Sequence, residues 1–193
     1  MRKFLIIFLS FVYISFGQFD PKIWDNLKTV RTENYEFQVP ADWRQTSMNG
    51  PGPEQYFEAS GLAMPQLYDK SPVIVTIFLV KQECKDLNDC KFRCFRGYKS
   101  NPDREFPANF KDGEQLIKLV GGQDAYILNT CFYRQSKGLN QSRFDLVMFS
   151  EKAKTGFTYT FSVQYNDPTY KFESDRKLLE FAKKLFSYFK LIV

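Results

Sequence analysis

The sequence predicts an α+β domain with a central antiparallel sheet flanked by helices. Three observations point there. Phe157, Tyr159, Phe161, Val163 and Tyr165 alternate strictly with Thr158, Thr160, Ser162 and Gln164, the period of a half-buried strand. Neighbouring strand patterns at Ala125–Tyr133, Phe144–Phe149 and Phe157–Tyr165 are joined by short polar links, which suit an antiparallel meander. Helical stripes are few, and they are interleaved with strands rather than alternating with them regularly. The 193 residues suffice for one such domain. Hydrophobic residues make up 44% and aromatic residues 18%, so the chain can bury an aromatic core and is not a disordered tail.

The elements follow in order. Gln18–Arg31 is a lead-in carrying Trp24 and Leu27. Tyr35, Phe37 and Val39 alternate with Glu36 and Gln38 as a strand, which Pro40 ends before a turn at Ala41-Asp42-Trp43. Ser47–Pro53 and Gly61–Ser71 are Pro/Gly-rich loops on either side of a weak strand, Gln55–Ala59. Val73–Val80 is apolar and β-branched, as in a central strand covered on both faces. Lys85–Tyr98 reads as a helix, with Leu87, Cys90, Cys94 and Tyr98 on one stripe. Ser100–Asp112 is a polar loop. Gln115–Val120 is a short strand turning at Gly121-Gly122. After the meander, Asp167-Pro168 signals a helix start. Leu178, Phe181, Ala182, Leu185, Phe186 and Phe189 form the apolar stripe of the closing helix, and Lys183, Lys184 and Lys190 lie in its later turns.

Met1–Gly17 has the parts of a secretory signal: Arg2 and Lys3, the apolar run Phe4–Phe16, and small residues before Gln18. The domain is therefore expected over 18–193, exported to a periplasm or secreted, with an uncleaved anchor as the alternative. No stable membrane span is expected in the mature chain. Loss of Arg2 and Lys3 lowers the net charge from +5 to +3, too little for a dedicated nucleic-acid binder. An oxidising compartment makes Cys84, Cys90, Cys94 and Cys131 candidates for two disulfides. A bridge between Cys90 and Cys94 inside a helix would be tight. We expect Cys84 to pair with either Cys90 or Cys94, and the remaining one with Cys131. Paired C-x₂-C knuckles for zinc and a C-x-x-C redox motif are both missing.

The run Tyr35-Glu36-Phe37-Gln38-Val39-Pro40-Ala41-Asp42-Trp43 resembles the opening of the PsbP/Mog-type α/β/α sandwich proteins. The aromatic strand, the closing helix and Phe186-Ser187-Tyr188-Phe189-Lys190-Leu191 resemble the family's ending. The resemblance implies one central antiparallel sheet with helices on both sides, and mostly non-enzymatic roles: photosystem assembly factors, a Ran-binding factor and exported bacterial proteins. It implies that the Cys-rich segment near 84–112 is an insertion. It carries over no functional residue.

Histidine is absent, which removes imidazole chemistry and imidazole metal sites. No G-x-S-x-G elbow or phosphate-binding Gly-rich loop is present. Asp86, Asn88 and Asp89 offer oxygens, but the later positions of a calcium loop are lacking. No metal, cofactor or catalytic residue is expected, and the protein is read as a non-enzyme. Trp43, Tyr56 and Tyr68 are candidates for a partner or ligand surface, Trp43 with the alternative of packing over a sheet end. The row Thr158, Thr160, Ser162 and Gln164 is either a partner surface or a face that is wet or lies beneath a polar helix. Asp145 is expected to face away from the core. Asn140-Gln141-Ser142 matches a glycosylation sequon. These features point to an exported binding module for a protein partner. Alternatives are a carrier with an aromatic-lined pocket for a small apolar ligand, and a His-free hydrolase using carboxylates.

Overall fold

The computed structural model describes residues 21–46, 53–58, 74–99, 104–105, 114–134, 139–165 and 176–192. The expected signal segment, the loop at 61–71 with Tyr68, and Asp167-Pro168 lie outside them. In chain order the elements are a 3₁₀ turn at Pro21–Trp24, then β1 (Leu27–Arg31), β2 (Tyr35–Pro40), β3 (Arg44–Gln45), β4 (Gln55–Glu58), β5 (Ile74–Gln82), α1 (Leu87–Lys99), β6 (Arg104–Glu105), β7 (Glu114–Lys118), β8 (Asp124–Arg134), β9 (Leu139–Ser150), β10 (Thr155–Tyr165), α2 (Arg176–Phe186) and β11 (Lys190–Leu191).

The strands form two sheets, not the one expected. The larger runs β3-β4-β5-β10-β9-β8-β6, with β7 also on β8; the smaller runs β1-β2-β11. Neighbours are antiparallel throughout. The second sheet exists because β2 collects two short partners that have little apolar periodicity of their own. One is Leu27–Arg31, registered with Leu27 opposite Pro40; the other is the residue pair after α2. The meander β8-β9-β10 forms as the short links required. Strand β9 starts earlier than predicted, at Leu139, because Asn140, Gln141 and Ser142 are held by pairing with β10 rather than by burial rhythm.

One aromatic core fills the space between β2, α2 and one face of the larger sheet. Phe157, Tyr159, Phe161 and Val163 point into it from β10, Ile77 and Leu79 from β5, and Phe144, Leu146 and Met148 from β9; all are fully buried. The small sheet contributes Tyr35, Phe37 and Val39, and α2 contributes the predicted stripe from Leu178 to Phe186. Phe37 stacks on Phe189 with centroids 5.7 Å apart and planes 4° from parallel. Phe37 also meets Tyr159 at 4.8 Å, and Phe161 meets Phe181 at 4.9 Å. Ring pairs at these spacings add specific attraction to the area they remove from water.

Burial alone pushes the Tyr159 phenol well above its ordinary 10.0, and its hydroxyl finds no hydrogen-bond partner among the described residues. Burial is also the main cause that raises Tyr35 to about 12, with Glu54 accepting from its hydroxyl at 3.1 Å. Both phenols keep their protons in the folded protein where the unfolded chain would lose them. Their contribution to stability is thus complete below pH 10 and is lost as pH rises above it, for Tyr35 as pH passes through about 12. An unpartnered buried hydroxyl is costly, so Tyr159→Phe should stabilise the protein by about 1 kcal/mol and blunt the alkaline loss. Urea midpoints at neutral and alkaline pH check both; a destabilised variant would show that the hydroxyl is paired.

Candidate functional site

The opposite face of the larger sheet carries the polar groups. Gly156, Thr158, Thr160 and Ser162 of β10 lie there, with Thr76, Phe78 and Gln82 of β5 and Arg143, Asp145 and Val147 of β9 alongside. Helix α1 packs over part of this face by setting Cys90 against Leu128 of β8 and Val147 of β9, flanked by Leu87 and Phe95 of the helix and Tyr126 and Phe149 of the sheet. Its start is set by Asp86, whose carboxylate accepts the Asp89 N–H at 2.8 Å as an N-cap. Asp89 in turn accepts the Lys85 N–H at 2.9 Å and Arg93 Nε at 3.1 Å. The Lys85 amide is the main cause that lowers the Asp89 carboxyl from its usual range. Asn88 accepts from Tyr126 Oη at 3.2 Å. The oxygens considered for calcium are therefore engaged in fixing the helix.

A disulfide joins Cys84 and Cys90, with Cα atoms 5.2 Å apart, and ties the first turn of α1 to the end of β5. Its two sulfurs stand where a Cβ at Gly156 would go, and Gln82 Cγ would lie 2.9 Å from that Cβ. Glycine at 156 is what lets the staple lie flat on the strand. With Cys84 and Cys90 bonded to each other, a four-thiolate site cannot form.

The second expected bridge is not made, and Cys94 is a free, half-buried thiol. Its Sγ is 3.4 Å from Thr158 Oγ1 and donates to Gln82 Oε1 at 3.6 Å. Position 131 is opposite Ser142, and Ser142 is opposite Val163. It therefore lies two strands from β10 and five residues along from Thr158, about 10 Å across and about 17 Å along. A disulfide needs Cα atoms within about 7 Å. Burial pushes the Cys94 thiol up, which disfavours the thiolate a nucleophile requires.

Asp145 does face away from the aromatic core, yet it is fully buried. Arg143 Nε donates to both of its oxygens at 2.9 and 3.0 Å, and Thr160 Oγ1 donates to Oδ1. Arg143 Nη2 reaches Thr160 Oγ1 at 3.3 Å, and its guanidinium lies 5.1 Å from the Phe78 ring centre. Asp145 is the only buried carboxylate among the described residues, and its neighbour is an arginine rather than the second carboxylate that glycoside hydrolysis needs. Sequence reasoning missed this cluster. Its signal was Arg143-x-Asp145 at strand period, which puts opposite charges side by side on one face.

Trp43 is fully buried in the aromatic core, so it offers no surface; Lys28 Nζ donates to its carbonyl. Tyr56 is half-buried on β4 and stacks on Phe78, centroids 6.4 Å apart. Thr158, Thr160 and Ser162 are buried, not a solvent-facing row. The sequon lies within β9, where the Ser142 side chain is fully buried. The described core aromatics pack on one another rather than around an opening. One cross-strand row thus runs Tyr56, Phe78, Thr160, Asp145, Leu128 across the sheet, with Arg143 bridging its middle.

No family model and no curated protein matches the chain. Among solved structures, the chain is similar to LpqN, involved in cell envelope biogenesis of Mycobacterium tuberculosis: TM-score 0.50 and 15% identity, covering 91% of this chain and 98% of that one. At that identity the likeness is one of fold. A protein from Bacteroides thetaiotaomicron matches with TM-score 0.40 and 12% identity, over 82% of this chain and 45% of its own. A protein of unknown function, PA94 from Pseudomonas aeruginosa, matches with TM-score 0.37 and 13% identity, over 84% and 95%.

The polar face generates three predictions. Reducing the Cys84–Cys90 bond should cost about 2 kcal/mol, the chain-entropy value for so short a loop. Gly156→Ala should cost about 1–3 kcal/mol in the oxidised protein by overpacking, and clearly less in the Cys84→Ser, Cys90→Ser background. Equal costs in the two backgrounds would mean that the staple does not press on position 156. Asp145→Ala strands Arg143 on a largely buried face and should cost about 3 kcal/mol by urea denaturation; a loss below about 1 kcal/mol would place the pair in effective contact with water.

Proposed function

We propose that the protein is an exported, non-catalytic interaction module, cleaved near Gly17-Gln18 and working in a periplasm or outside the cell, with a PsbP/Mog-type arrangement of sheet and helices. The disulfide supports an oxidising compartment. Among the described residues no helix is long and apolar enough to cross a membrane. The fold likeness to an envelope-biogenesis protein fits the same setting.

The observation that carries the binding reading is the half-buried stack of Tyr56 on Phe78, continued by the guanidinium of Arg143. Tyrosine and arginine on a rigid sheet are the residue types that dominate protein interfaces. The staple and the Asp145 pair hold this surface still, so little ordering entropy is lost when a partner meets it. The carrier reading has less support, because the described aromatic core is packed on itself.

A photo-crosslinking residue at position 56, in protein made by its native host, should give one discrete protein adduct. The same residue at exposed Lys190 should give none. The mature form should begin at Gln18 by intact mass. A cytosolic, full-length protein without adducts would sink the reading.

A further inference from the structure

The last strand before the Gly121-Gly122 turn has a single neighbour among the described residues. Among the described residues β7 pairs only with β8, through Glu114 opposite Leu128 to Lys118 opposite Asp124. Ile117, on the core face, packs against the aromatic cluster. Leu116 has the opposite fate. It shares the helix-side face with Tyr126, but α1 reaches only as far as Tyr126, where Lys91 lies 4.1 Å from the ring centre. Leu116 is consequently 56% exposed, and Val120 in the adjoining turn is 60% exposed.

We propose that β7 pairs antiparallel with β7 of a second copy of this chain, about a two-fold axis through Leu116. Charge is what selects this occupant. Charged residues on an edge strand usually oppose pairing. Here Glu114 and Lys118 are spaced evenly about the exposed leucine. Self-pairing centred on Leu116 puts Glu114 opposite Lys118 of the second copy, twice, and covers one Leu116 with the other. Moving the axis to position 115 or 117 sets Leu116 opposite a charge instead. Each cross-strand ion pair is worth a fraction of a kcal/mol and each reversed pair costs as much. Two five-residue strands bury less than a standard interface, so the pairing is a concentration-dependent equilibrium. It is independent of the proposed function, because β4 with Tyr56 lies toward the other edge of the sheet.

The test is sedimentation of the mature chain over a concentration series. Wild type should associate to a dimer. Glu114→Lys and Lys118→Glu should each weaken dimerisation roughly tenfold or more, by setting like charges opposite each other at two places. The double swap should restore it. The Lys118–Asp124 ion pair, 2.6 Å and exposed, is lost in one single variant and kept in the other, which separates its effect from that of the interface. Circular dichroism confirms that each variant is folded. A wild type monomeric at every concentration overturns the proposal. So does a dimer that ignores both single changes, a double swap that stays monomeric, or a β7 that takes up an extended peptide in place of its own copy.

Discussion

Strand β10 has to satisfy two interiors at once, and the rest of the fold is arranged around that demand. Its odd positions present aromatic rings to a core shared with β2 and α2. Its even positions present a glycine and hydroxyls to the stapled helix and the Arg143–Asp145 pair. A register slip of one residue would put three hydroxyls into the aromatic core and three rings against a buried carboxylate. Pairing along nearly the full strand with β5 and β9 fixes that register from both sides.

The two faces are stabilised by different physics. The aromatic side rests on area removed from water and on ring geometry, and among the described residues it offers the Tyr159 hydroxyl no partner, a cost it has to carry. On the other side, a desolvated charge is acceptable because an arginine and a threonine meet the Asp145 oxygens directly. The staple adds a covalent limit on how α1 can leave this face.

Much of this was legible in the sequence. Strict alternation assigned Phe157 through Val163 to their correct sides, and the stripe from Leu178 to Phe186 located the closing helix. Short links gave the meander. What stayed hidden depends on partners distant in sequence. Strands β3, β6 and β11 are two residues each and exist only because a longer strand lies beside them. A Trp after a strand-ending Pro reads as surface or as packing over a sheet end, and which of them holds waits on knowing the core. Asp145 could be oriented by alternation but not buried by it, since burial required α1 and Arg143. Gly156 had no reason to stand out before the pairing of Cys84 with Cys90 was known.

The staple holds α1 by its first turn only, whereas Cys94 lies a turn further along and is shielded by packing. The covalent limit on α1 therefore sits at one place: the bond ties its first turn to the sheet, and the turn with Cys94 is held by non-covalent contacts. A thiol reagent meets the half-buried Cys94 more readily in molecules where that second turn has lifted, so the rate of Cys94 modification under native conditions is a clock for the local opening of α1. The protein thus carries its own reporter of how firmly the helix is seated, and anything that binds across α1 would be seen as a slowing of that clock.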